Sequence, residues 1–166
     1  MLLKPDIKLD KITDITLKML QSKNIDSLLL DVDNTMSTHH SAILTDGLEN
    51  WLFEMKSSGI KLIILSNSVE KRVKPFAERI GLDYIHTGLK PLPFGFLRGV
   101  KRLKSKRKNT AIVGDQIFTD ILGGNASGLK TVLLTPIKPE TQLRFRIKRK
   151  LEKVIYKIYK IEKSEE

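Results

Sequence analysis

The apolar positions fall into short continuous runs separated by stretches of helical period. Residues 25–31 carry Leu28, Leu29 and Leu30 straight into Asp31 with no polar break. A run of this kind, closed by turn-forming residues, predicts a strand buried on both faces. Residues 61–65, 109–113 and 131–134 repeat the pattern, and 83–86 predict a further short strand. Between them, residues 45–57 place Leu48, Trp51, Leu52 and Met55 on one helical face, and Gly59 ends the helix. Residues 69–80 predict a second helix, with Pro75 kinking or resetting it and Gly81 stopping it, and residues 94–104 a third. A short helix over 17–23 starts at Thr16 as cap and stops at Asn24. Residues 1–15 have Ile7, Leu9, Ile12 and Ile15 at mixed spacing and predict no regular element. Strands alternating with helices predict an α/β fold, a doubly wound, Rossmann-like parallel sheet of five strands. Right-handed crossovers bring the carboxyl ends of such strands to one edge, where ligands bind.

Chemistry-bearing residues stand at those ends. Asp31 and Asp33 are two apart and share one side if the chain stays extended. Two carboxylates this close repel unless a proton or a cation lies between them, and Mg²⁺ is suited to a few carboxylates plus phosphate oxygens. Ser66, Asn67 and Ser68 follow the strand 61–65 and offer hydroxyls and N–H groups to an anion; either serine equally suits a simple helix cap. Lys90 lies in a loop restricted by Pro91 and Pro93, and Asp115 and Asp120 follow the strand 109–113. Gly123, Gly124 and Gly128 lack the Gly/Lys/Ser-Thr order of a phosphate loop. His39 and His40 are adjacent, a poor arrangement for ligating one ion, and read as surface residues with room for a substrate contact.

Composition narrows the class of partner. The 166 residues contain no cysteine, which excludes disulfides and thiolate metal sites, and no apolar run approaches a membrane span. The expectation is a single domain, 1–166, in the cytoplasm, with its core over about 25–135. A net charge of +11 favours anionic partners: phosphorylated substrates, nucleic acid or an acidic membrane surface. Arg98, Lys101, Arg102, Lys104, Lys106, Arg107 and Lys108 form one basic block. In the segment 141–163, Ile147, Leu151, Val154, Ile155 and Ile158 recur at helical spacing among Arg146, Lys148, Arg149, Lys150, Lys153 and Lys157. A basic amphipathic helix of this kind suits peripheral contact with an acidic membrane; a terminal helix packed on the domain also explains the stripe, and both hold if only part of the stripe packs.

Asp31-Val32-Asp33-Asn34-Thr35 resembles the first motif of the haloacid dehalogenase (HAD) superfamily of aspartate-nucleophile phosphatases. Ser66 resembles the second motif, Lys90 the third, and Gly114-Asp115 with Asp120 the acidic fourth. More narrowly, Ser66-Asn67, Arg72-Val73, Lys90-Pro91, Gly114-Asp115-Gln116, Thr119-Asp120 and Gly123-Gly124-Asn125 are similar to the YqeG-type family of HAD subclass IIIA, which is related to phosphatidylglycerophosphate phosphatases. Met36 stands where that family usually has Leu, a volume-conserving change. The resemblance implies a strand order 3-2-1-4-5, Asp31 as nucleophile and Asp33 as general acid and base. It implies Mg²⁺ held by Asp31, the Asp33 carbonyl and Asp115, with Asp120 ligating or orienting. Ser66, with Asn67 beside it, and Lys90 would hold the phosphoryl oxygens. The intervals Asp33 to Ser66 and Ser66 to Lys90 have no room for the cap domain found in many HAD enzymes, so the site is expected to be open. An open site suits a phosphate on something large: an anionic phospholipid at the inner face of a membrane, a nucleic acid or a protein; a cap supplied by another subunit is the alternative. A nucleic-acid- or ribosome-binding protein that keeps the fold without turnover is the alternative from another class.

Overall fold

The computed structural model describes residues 1–38, 44–138 and 143–161, the side chains of 143–149 excepted. His39 and His40 therefore lie outside the described residues. Six parallel strands form one sheet: β1 (Ile7–Leu9), β2 (Ser27–Leu30), β3 (Lys61–Leu65), β4 (Asp83–Ile85), β5 (Thr110–Gly114) and β6 (Lys130–Leu134), in the order β1-β6-β5-β2-β3-β4. The five expected strands keep their expected order. The sixth, β1, is a correction. It adds to the β6 edge with Ile7 opposite Val132 and Leu9 opposite Leu134. Three residues are too few to show a period, but Ile7 and Leu9 alternate across Lys8 and are buried.

β2 is central and its four residues are fully buried. Its alternation divides the core. Leu28 and Leu30 pack with residues of α2 (Leu48–Ser57) and α3 (Glu70–Ile80). Leu29 packs on the other face with Phe96 and Val100 of α4 (Pro93–Arg102). Each leucine removed from water contributes about 1.5–3 kcal/mol. α1 (Leu17–Ser22) starts where Thr16 accepts the Met19 N–H. Trp51 donates its indole N–H to the Ile15 carbonyl at 2.9 Å, tying α2 to the segment after β1. α2 begins three residues later than its periodicity suggests, because Gly47 takes a left-handed conformation just before it. α3 runs through Pro75 to the left-handed Gly81. Helices therefore cover both faces, and the crossovers deliver all strand ends to one edge.

Loop and helix pack tightly at this edge. An added Cβ at Gly95 of α4 would lie 2.3 Å from the Gly88 carbonyl oxygen and 2.9 Å from Leu65 Cδ1. Backbone cannot yield as a side-chain tip can. Gly95→Ala is therefore expected to destabilise the protein by about 1–3 kcal/mol, read as a lower urea midpoint at unchanged slope. An unchanged midpoint would show that the loop before Lys90 is soft.

Candidate active site

Asp31 extends β2 by one ladder bond, its N–H donating to the Val113 carbonyl at 2.9 Å. Its carboxylate is buried with 6% of the residue exposed. Lys90 Nζ reaches it from the loop after β4, 2.5 Å from Asp31 Oδ1 and 2.7 Å from Asp120 Oδ1. That loop is held from the other side of the site. The Asn67 carboxamide accepts the Lys90 N–H at 2.7 Å and donates to the Lys90 carbonyl at 3.0 Å. Both ends of the Asn67 carboxamide thus engage the Lys90 backbone, so this side chain positions the lysine's loop.

β5 ends at Gly114, and the buried Asp115 follows. The chain then makes one π-helical turn, Ile117–Ile121, before α5 (Leu122–Ala126). This turn brings Asp120 back over the strand end, where Oδ2 accepts the Gln116 N–H at 3.1 Å. A Cβ at position 114 would fall 2.3 Å from Asp120 Cγ, so only glycine leaves room for the carboxylate. The sequence showed the two aspartates but not the π turn that joins them; such turns often occur at functional sites.

Asp33 stands further out. Its carboxylate accepts from Arg72 Nη2 at 3.2 Å and from Ser68 Oγ at 3.4 Å. Neither partner was expected at Asp33. The signal for Arg72 was its place in the first turn of the helix that follows Ser66-Asn67-Ser68. Ser66 is buried, and its hydroxyl oxygen accepts the Ser68 N–H at 3.0 Å. It does not cap α3, whose cap position is Val69 with no side-chain bond. Its own O–H proton is thus directed by whatever acceptor enters the site.

Asp31, Asp115 and Asp120 offer carboxylate oxygens within 4.8 Å of one another, all from buried residues. Three carboxylates and one ammonium leave an excess of two negative charges in a buried volume. Burying uncompensated charge is costly, and a divalent cation taking oxygen ligands is the fitting counterion. Burial pushes the Asp31 carboxyl up to about 7, opposed by Lys90 and assisted by the charges of Asp120 and Asp33. Burial also acts against the Lys90 charge, but Asp120 and Asp31 outweigh it and hold the ammonium above its ordinary value. Lys90 therefore stays charged throughout the neutral range. A surface cleft of about 440 Å³ between Leu44–Asn50 and Arg79 is lined by none of these residues.

Residues 8–128 match the haloacid dehalogenase-like hydrolase family. The chain is 36% identical over 151 residues to the probable phosphatase YqeG of Bacillus subtilis, covering 91% of this chain and 88% of that protein. It is 26% identical over 164 residues to phosphatidylglycerophosphate phosphatase 1, chloroplastic/mitochondrial, of Arabidopsis thaliana, covering 92% of this chain but 47% of that longer protein. The fold matches that of a 4-nitrophenylphosphatase from Thermotoga maritima with a TM-score of 0.59 at 12% identity, over 74% of this chain and 90% of that one. The chain belongs to the haloacid dehalogenase-like hydrolase family, and within it to the YqeG-type phosphatases.

Proposed function

We infer that the chain is a Mg²⁺-dependent phosphomonoesterase with Asp31 as its nucleophile. The observation that carries this reading is the Lys90 ammonium bridging Asp31 and Asp120 beside Asp115, a buried charge set that a divalent cation would balance. Asp31, Asp115 and the Asp33 carbonyl would hold the ion, with Asp120 ligating or orienting. The ion supplies charge neutralisation for the phosphoryl group.

In the first step a carboxylate oxygen of Asp31 attacks phosphorus, the phosphorus–ester oxygen bond breaks, and Asp33 passes its proton to the leaving alkoxide. In the second, Asp33 takes a proton from water as that water attacks phosphorus and frees the Asp31 oxygen, releasing inorganic phosphate. Arg72 and Ser68 hold Asp33 for both proton transfers. Lys90 and the Ser66 hydroxyl face the phosphoryl oxygens as their charge shifts. Asn67 fixes the lysine.

For the substrate, we take a lipid phosphate of the phosphatidylglycerophosphate kind. Leu89, Leu92 and Phe94, next to Lys90 along the chain, are each more than half exposed, an apolar rim beside a polar site. No cap domain stands over the strand ends among the described residues. The relative named as a phosphatidylglycerophosphate phosphatase supports the same class.

Turnover is expected to require Mg²⁺, to stop in excess chelator, and to fall roughly a hundredfold in Asp115→Ala. Measured against lipid phosphates, nucleotides and phosphopeptides, kcat/KM is expected to be highest for the lipid ester. Full activity in chelator would overturn the metal reading, and preference for a nucleotide or phosphopeptide the substrate class.

A further inference from the structure

The helix α6 (Leu143–Ile158) has two apolar rows over its second half, and the fold buries one of them. Ile155 is 8% exposed and packs with Ile117, Ile121 and Leu133; Tyr156 and Tyr159 pack beside it. Glu152, 2% exposed, lies on the same inward side and accepts the Ile117 N–H at 2.8 Å. The second row points away. Leu151, Val154 and Ile158 are 54%, 53% and 67% exposed. At 3.6 residues per turn these three lie within an arc of about 60°. Lys150, Lys153 and Lys157, all exposed, form the adjacent row. Only part of the stripe packs: Ile155 faces inward, and Leu151, Val154 and Ile158 face out. Residues 141–142 and 162–163, and the side chain of Ile147, lie outside the described part of this segment.

We propose that this outward face of α6 docks on an anionic lipid bilayer. Leu151, Val154 and Ile158 would seat at the boundary of headgroups and acyl chains, with the lysine row against the lipid phosphates. Charge selects this occupant. A second copy of the chain would set one lysine row against another, within a protein of net charge +11, around only a few aliphatic side chains a side. An acidic leaflet complements the lysines and accepts the aliphatic row. Contact is peripheral, because no helix among the described residues is long and apolar enough to cross a membrane. The Glu152 bond ties the docked helix to Ile117, two residues after Asp115, so the bilayer would lie one helix away from the loop carrying Asp115 and Asp120. The proposal deepens the lipid-phosphate reading, yet binding itself needs no turnover.

Co-sedimentation of the full chain with vesicles tests it. The wild-type chain is expected to pellet with mixed phosphatidylglycerol and phosphatidylcholine vesicles at low salt, to stay in solution with phosphatidylcholine alone, and to be released by high salt. The combined variant Leu151→Gln, Val154→Gln, Ile158→Gln is expected to bind at least tenfold more weakly, and Lys150→Glu, Lys153→Glu, Lys157→Glu likewise. Both alter exposed positions and are expected to keep the wild-type far-UV spectrum and the hydrolysis of soluble 4-nitrophenyl phosphate. Wild-type chain that ignores the anionic vesicles at low salt overturns the proposal, as do variants that pellet like wild type. A dimer that the aliphatic variant dissociates would assign the face to a second copy and overturn it too. Vesicle binding without turnover of any phosphomonoester would uphold the docking face and refute the phosphatase reading.

Discussion

Asp31→Asn is expected to lower kcat by at least about 10⁴-fold while leaving the protein folded, because it removes the nucleophile, and with it one charged ligand of the ion, without changing the side chain's shape. Asparagine matches the carboxylate in shape and still presents an oxygen to Lys90, which keeps Asp120 as its ionic partner. Steady-state hydrolysis beside far-UV and thermal melts measures both halves, and turnover within tenfold of wild type would remove Asp31 from the reaction. The same variant carries a pH signature in metal-free protein. The Asp31 carboxyl goes from 3.8, its ordinary value, to about 7 on folding. Between those two values the folded state binds the proton that the unfolded state releases. Stability therefore falls as pH rises through that window. Asn at this position has no such proton, so the variant's melting midpoint should be flatter from pH 4 to 7.

Lys90→Met should be damaging in two separate ways. It leaves Asp31 and Asp120 buried with no cation between them, and breaking a buried pair by removing one partner costs about 3–5 kcal/mol. It also removes a positive charge facing the phosphoryl oxygens, a loss of roughly 10²–10³-fold in kcat. Urea unfolding and kinetics read the two effects independently. If Lys90→Met keeps wild-type stability without added metal, the ammonium is not what balances the carboxylates. Lys90→Ala, which also removes the aliphatic stem, separates lost packing from lost charge.

Much of the site could be read from the chain because the strands that carry it are largely apolar runs that stop at a polar residue. Leu28 to Leu30 leads to Asp31, Lys61 to Leu65 leads to Ser66, and Thr110 to Gly114 leads to Asp115. Once the alternation implied a parallel sheet, topology alone gathered these ends. What escaped the sequence depended on distance through space. β1 was missed because its partner lies 125 residues away and its own three residues show no period. The partnership of Asn67 with the Lys90 backbone and that of Arg72 with Asp33 join different loops, and no local spacing encodes them. Glu152 stands among lysines in the sequence, and its burial against Ile117 exists only after the chain has folded. Which part of the α6 stripe packs was hidden for the same reason, since periodicity finds an apolar face but not the neighbour that covers it.

The pairing of β1 with β6 also places this fold in time. Ile7 and Val132 sit side by side in the sheet, yet a ribosome adding about 5–20 residues each second makes one roughly 6 to 25 s before the other. During that interval Ile7 and Leu9 have no strand to pair with, and their burial against the finished sheet must wait. The two halves of the β1–β6 edge meet only after residues 130–134 have been made. A nascent chain stalled anywhere before residue 130 would hold its β1 residues unsheltered, and so be open to chaperones and proteases in a way the completed protein is not.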